Sequence, residues 1–111
     1  MFLKNSWYVA AWDREIESKP LGRTILNEPM VLFRGSDGEV VAMEDKCPHR
    51  RVPLSMGKVV EGGLLQCHYH GLRFDKSGMC VRIPGQESIP PAAKVKTYPV
   101  VERYHWVWIW M

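Results

Sequence analysis

Long apolar runs, a secretory-type opening and a large excess of either charge are not apparent in this sequence of 111 residues. No apolar stretch approaches the ~20 residues that span a bilayer, which argues against a membrane protein. The opening Met1-Phe2-Leu3-Lys4-Asn5-Ser6-Trp7 has no basic stretch followed by an apolar core and a small-residue cleavage site, so it does not read as a secretory signal. Fifteen Lys and Arg stand against twelve Asp and Glu, a net charge of +3. That balance, with neither a basic cluster nor an acidic tail, argues against nucleic acid as a partner. Cysteine is scarce and odd in number, three in all. Without a secretory address, such a count points to a reducing cytoplasm, where cysteines serve as metal ligands more often than as bridges. There is also no internal repeat, no low-complexity segment and no 3.6-residue apolar stripe sustained over three turns.

What is present describes a single domain. At 46% hydrophobic and 24% charged, a chain of this size buries roughly 60–70% of its unfolded surface and needs no disulfide to hold a core. Short apolar segments alternate with Gly, Pro, Asp and Ser clusters along the whole length, an all-β pattern. The expected strands are 7–11, 22–27, 30–34, 40–43, 63–66, 72–74, 79–82, 95–101 and 105–110. Gly35-Ser36-Asp37-Gly38, Glu61-Gly62-Gly63 and Asp75-Lys76-Ser77-Gly78 read as hairpin tips. One helical turn is expected over 13–18, capped by Asp13 and stopped by Lys19-Pro20. Prolines on both sides make 83–93 an irregular crossing loop. In Trp106-Val107-Trp108-Ile109-Trp110 a period of two puts three indoles on one face and two β-branched side chains on the other. Because this apolar strand runs to Met111 without a polar tail, the chain reads as one that should continue.

Two short arms carry the chemistry. Cys47-Pro48-His49-Arg50 and Cys67-His68-Tyr69-His70-Gly71 each offer one thiolate and one imidazole, with seventeen residues between His49 and Cys67. Zinc modules usually pair like with like, a Cys-x-x-Cys arm with a His arm. A two-iron, two-sulfide cluster with unlike irons instead needs two thiolates on one iron and two neutral imidazoles on the other. Cys-x-His followed by Cys-x-x-His meets that demand, with Cys47 and Cys67 on one iron and His49 and His70 on the other. Such ligation lifts the potential above the roughly −400 mV of all-cysteine plant-type ferredoxins. Zinc in a distorted tetrahedral site is the alternative. Cys80 reads as a packed thiol rather than a third ligand, and His68, off the ligand spacing, as solvent-facing.

The spacing is that of the Rieske pattern, and the likeness extends beyond the ligands. Asn5-Ser6-Trp7-Tyr8-Val9-Ala10, Lys19-Pro20-Leu21-Gly22-Arg23, Pro53-Leu54-Ser55 and Val100-Val101-Glu102-Arg103-Tyr104, together with the two arms, resemble the N-terminal Rieske domain of Rieske non-haem iron oxygenases. The aromatic O-demethylase branch, which includes vanillate and dicamba monooxygenases, is the nearest in pattern. The resemblance covers essentially all 111 residues. It departs at His68, where the family usually carries proline or another small residue. Cytochrome-bc-type Rieske proteins carry an extra cysteine in each arm; Val52 and Tyr69 stand there in this sequence, so that bridge cannot form.

The resemblance implies a Rieske-type antiparallel β-sandwich over 1–111, with a small cluster-binding subdomain of two loops at about 45–82. It implies one-electron transfer through a [2Fe-2S] cluster within an oxygenase acting on aromatic compounds. The donor would be an NAD(P)H-dependent reductase or a ferredoxin, and the full-length form a homotrimer. A mononuclear Fe(II) is expected only in a C-terminal catalytic domain that this chain lacks, and neither Glu102 nor His105 offers a substitute ligand. A free-standing Rieske ferredoxin is the rival reading and a zinc-stabilised interaction domain a more distant one. Around the arms, Gly71, Pro48 and Pro53 are expected to bring main-chain N–H groups towards the sulfurs, Pro53-Leu54-Ser55 to cap the cluster with apolar cover, and the Tyr69 hydroxyl either to bond the Cys67 sulfur or to pack. Between 46 and 82, Lys46, Arg50, Arg51, Lys58, Arg73, Lys76 and Arg82 face only Glu61 and Asp75, giving +5 and leaving −2 for the rest.

Overall fold

The computed structural model describes residues 5–48, 52–68, 71–85, 88–90 and 92–111. These form eleven strands in three antiparallel sheets. β1 (Trp7–Trp12), β11 (Trp106–Trp110) and β10 (Val100–Arg103) make the first, in the order β1-β11-β10. The second runs β2 (Leu21–Ile25), β3 (Glu28–Arg34), β4 (Val40–Glu44) and β9 (Thr97–Tyr98). The third runs β5 (Lys58–Val60), β6 (Leu64–Gln66), β7 (Arg73–Phe74) and β8 (Cys80–Arg82). The all-β expectation is met.

β3 explains the layering. Met30, Val31, Leu32 and Phe33 are all fully buried, which a strand achieves only with both faces covered. On a period of two, Met30 and Leu32 enter one core with Ala10, Ile16, Ala42, Val107 and Ile109. Val31 and Phe33 enter the other with Met43, Leu54, Leu65, Leu72, Phe74 and all three cysteines. The middle sheet therefore separates the β1-β11-β10 sheet from the one that carries the arms. The expected two-loop subdomain thus includes a four-stranded sheet of its own.

All three expected hairpin tips are present. At the third, Asp75 Oδ1 accepts from the Ser77 amide, the Ser77 hydroxyl and the Met79 amide at 2.9, 2.6 and 3.1 Å, while Gly78 turns at φ +85°.

Several boundaries move. Strand 95–101 is two strands, β9 and β10, interrupted at Pro99, which has no N–H to continue a ladder. Strand 22–27 ends at Ile25, because Leu26 and Asn27 form a two-residue turn at φ +52° and +63°. Likewise His105 belongs to a turn with Tyr104 (φ +66° and +60°) rather than to β11. β5 and a 3-10 turn at Leu54–Met56 were not expected.

The helical turn over 13–18 shortens to a 3-10 turn, Asp13–Glu15, with Trp12 and not Asp13 at its N-cap. There the Glu15 carboxylate accepts the Trp12 N–H at 2.8 Å, and that bond, with Arg23 and Arg14 adding their charge, holds its pKa below the ordinary value. Asp13 is engaged elsewhere: its N–H donates to the His105 carbonyl at 2.8 Å and its carboxylate meets His105 Nδ1 at 3.1 Å.

β11 turns Val107 and Ile109 into the core and leaves its tryptophans half-buried or exposed. Trp7 packs edge-on to Trp110 at 5.4 Å, and Trp12 stacks on Trp106 at 3.5 Å. No helix among the described residues is long and apolar enough to cross a membrane.

Candidate metal centre

The two cysteines of the arms sit at matching places in the fold. Cys47 follows β4, and its N–H donates to the carbonyl of Val52, five residues on, at 2.8 Å. Cys67 follows β6, and its N–H donates to the carbonyl of Leu72, again five residues on, at 2.7 Å. Each arm is thus a loop closed at its neck by the same bond, with the cysteine at the closure. Both side chains are buried, at 2% and 1% exposure, in one apolar cluster with Leu54, Leu65 and Leu72.

That arrangement suits a metal cluster. A thiolate is a strong ligand whose burial is costly without compensating charge, and iron supplies it. Two thiols entering one apolar cluster from two equivalent loops form half of the expected donor set. His49 and His70, the other half, lie outside the described residues, as do Tyr69, Arg50 and Arg51. His68 is exposed, as expected of a residue off the ligand spacing.

Cys80 is a different kind of thiol. It lies on β8, its Sγ donates to the Arg82 carbonyl at 3.5 Å, and burial pushes its pKa up. A proton retained for that bond is unsuited to ligation.

The surroundings differ from expectation in one respect. The Gly71 N–H, expected to approach a sulfur, donates to the Cys67 carbonyl at 3.1 Å. Gly71 is at φ +75°, so its role here is to turn the chain back at the neck of the second arm. Of the expected apolar cap Pro53-Leu54-Ser55, Leu54 is fully buried among the arm residues, whereas Pro53 is exposed and Ser55 is half-buried and bonded to Asp45.

Two features escape the sequence reading. Asp45, two residues before Cys47, accepts both the amide and the hydroxyl of Ser55 at 2.6 Å. Gly57 lies so close to Gln66 that an added Cβ would stand 1.9 Å from its carbonyl oxygen. An acidic residue shortly before Cys47 and a serine shortly after the arm gave the only hint of the first.

Several basic side chains of the 46–82 segment lie at the surface, and Lys76, on its hairpin tip, is paired with Asp37 at 3.7 Å. Lys46, Lys58, Lys76 and Arg82 are exposed, and Arg73 is partly so. Glu102 and His105 are occupied away from the arms, by Arg34 at 3.1 Å and by Asp13.

Comparison with known proteins agrees with this geometry. The Rieske [2Fe-2S] domain family matches residues 6–99. The chain is 57% identical over its whole length to the iron-sulfur subunit of the toluene-4-sulfonate monooxygenase system of Comamonas testosteroni, of which it covers 32%. It is 53% identical, over 98% of its length, to the oxygenase component of dicamba O-demethylase from Stenotrophomonas maltophilia, again covering 32%. The crystal structure of dicamba monooxygenase bound to dicamba superposes with a TM-score of 0.94 at 52% identity, covering 98% of this chain and 33% of that one. The chain spans about a third of the length of these relatives. Twin loops, each presenting a buried cysteine at its neck, are therefore what the fold and the sequence matches share a reason for: the chain belongs to the Rieske [2Fe-2S] domain family.

Proposed function

We propose that this chain is the electron-transfer domain of an oxygenase component, with Cys47, His49, Cys67 and His70 as the ligands of its [2Fe-2S] cluster. The observation that carries the reading is the pair of buried cysteines at equivalent loop necks in one apolar cluster. When bound, such a cluster takes up and gives back single electrons. The protein's part is to hold it. Cys47 and Cys67 serve one iron as thiolates, His49 and His70 the other as neutral imidazoles, and the less anionic ligand set favours reduction. Leu54, Leu65 and Leu72 keep water from the thiolate side.

The longer protein we infer is a monooxygenase or O-demethylase acting on an aromatic compound, as several of its relatives are. On this reading residues 1–111 are the Rieske domain, about 45–82 its cluster-binding part, and the mononuclear iron site belongs to a separate catalytic domain. The donor is an NAD(P)H-dependent reductase or a ferredoxin, the setting is the cytoplasm, and the family resemblance supports a homotrimer. The excess of exposed basic side chains in 46–82, Lys46, Lys58 and Arg82 among them, favours an acidic donor, so its reduction rate should fall as salt is raised.

Iron and acid-labile sulfide analysis of the purified chain, with the visible spectrum of the oxidised form, tests the central point. Iron and sulfide in equal amounts with broad visible absorption are expected. A colourless protein with stoichiometric zinc would overturn the reading.

A further inference from the structure

The Asp45–Ser55 pair lies across the base of the first arm. Asp45 precedes Cys47 by two residues, and Ser55 follows Val52, whose carbonyl closes the arm, by three. Ser55 donates its N–H to Asp45 Oδ1 and its hydroxyl to Oδ2, each at 2.6 Å. Both oxygens of one carboxylate are thus used by both donors of one serine, through short, charge-assisted bonds.

The pair is tied to its surroundings on every side. The Asp45 N–H donates to the Pro29 carbonyl of β3 at 3.1 Å. Gly22 of β2 covers the carboxylate: an added Cβ there would stand 3.0 Å from Ser55 Oγ and 3.6 Å from Asp45 Oδ2. Gly22 thus covers one side of the pair, whose two residues are half-buried. Two residues beyond Ser55, Gly57 rests directly on the Gln66 carbonyl. Gln66 immediately precedes Cys67. Between Ser55 and Gly57 the 3-10 turn Leu54–Met56 is closed by the Gly57 N–H donating to the Leu54 carbonyl at 2.9 Å. A continuous set of contacts, Asp45 to Ser55 to Gly57 to Gln66, therefore joins the base of one arm to the base of the other.

We propose that Asp45 is a positioning residue that acts through Ser55 to fix the first cysteine arm against the second, and so sets how tightly the cluster is held. The inference rests on the cluster reading above. If the spacing of the two necks is set by this joint, loss of the carboxylate lets the arms separate by small amounts. Cluster release then accelerates, and the environment of the irons becomes less uniform.

The test uses the cluster-loaded chain and reads iron transfer to a chelator together with the electron paramagnetic resonance of the reduced protein. Asp45→Ala should release iron on the order of tenfold faster than the parent, the loss expected for charge-assisted bonds, and broaden the resonance. Ser55→Ala, which keeps the amide bond, should do the same to a smaller degree. Asp45→Asn can accept the Ser55 N–H with its amide oxygen and donate its NH₂ to Ser55 Oγ, so it should return release to within about twofold of the parent. Tyr98→Phe, which loses a hydrogen bond to Glu28 in the other core, controls for general destabilisation and should leave release and resonance unchanged. Release from Asp45→Ala no faster than from Tyr98→Phe, with an unaltered resonance, would overturn the proposal. Should Asp45→Ala fail to fold, Ser55→Ala decides: faster release supports the joint and parental release overturns it. A parent protein with no cluster resonance at all would instead sink the reading on which the inference rests.

Discussion

Gly63 and Ser36 stand on the tips of two different hairpins, yet an added Cβ on Gly63 would lie 2.1 Å from the Ser36 amide nitrogen. Backbone meets backbone where the arm-bearing sheet docks on the middle one, and neither side can give way. Gly63 is also at φ +71°. Gly63→Ala should therefore destabilise by at least about 2 kcal/mol, strain and overlap combined. Its neighbour provides the comparison: Gly62 is at φ +86° with nothing closer than Leu64 Cγ at 3.9 Å. Gly62→Ala should cost only the about 1–2 kcal/mol of the left-handed conformation. Urea unfolding of the two variants measures the difference.

The three cysteines should separate cleanly by substitution. Cys47→Ala and Cys67→Ala each remove a proposed ligand, and iron content should fall to background. Cys80→Ala leaves the ligand set whole and removes only a packed thiol that donates to Arg82, so iron and visible colour should persist. Chelating the metal from the parent should lower its melting temperature, since a group that binds only the folded state stabilises it.

Leu54 is fully buried between the arms. Leu54→Ala opens a cavity there and should cost about 2–5 kcal/mol. Equilibrium unfolding checks the magnitude; a loss below about 1 kcal/mol would mean that the 3-10 turn collapses into the space.

Alkaline pH should weaken the fold through Tyr98. Its hydroxyl donates to Glu28 Oε1 at 3.0 Å. Burial first, then the hydrogen bond to Glu28 and the Glu28 and Glu44 charges, push its pKa well above the ordinary value. The unfolded phenol ionises near pH 10. Below that pH both states are protonated and the contribution is fully present; above it the unfolded chain sheds a proton that the folded chain keeps, so stability is lost as pH rises. Tyr98→Phe should be weaker at neutral pH by about 1–3 kcal/mol and should lose less between pH 9.5 and 11, values set by the ordinary tyrosine range. Parallel slopes for the two proteins would contradict this.

Periodicity and spacing were enough to read the strands and the two thiols, because both signals are local. The continuous apolar run of 30–33 marks a strand buried on both faces, the indole/aliphatic alternation of 106–110 marks its core face, and Asp75 and Gly78 announce their own turn. The turns at Leu26-Asn27 and Tyr104-His105 were hidden because such positive-φ pairs usually carry Gly. Here the register of Ile25 opposite Glu28 and of Arg103 opposite Trp106 imposes the conformation from the flanking ladders.

The site divides in the same way. Cys47 and Cys67 announce themselves by type and interval. Asp45, Ser55 and Gly57 do not, since their importance depends on Gly22 and Gln66, which reach them only after the sheets have assembled. The Gly71 amide shows the limit of arguing from residue type: glycine permits a close approach but does not say to which acceptor.

The pairing of β1 with β11 sets the order in which this domain can be completed. Trp7 lies opposite Trp110 and Trp12 opposite Trp106, so among the described strands β1 is joined by one made about a hundred residues later. At a synthesis rate of ~5–20 residues per second, roughly 5–20 s separate their emergence from the ribosome. Throughout that interval Tyr8, Val9 and Trp12 have no ladder partner, while the hairpins β2–β3–β4 and β5–β6–β7 need only neighbours already made. Within this domain the nascent chain is therefore most open to misassociation at β1, and that exposure ends when residues 106–110 arrive.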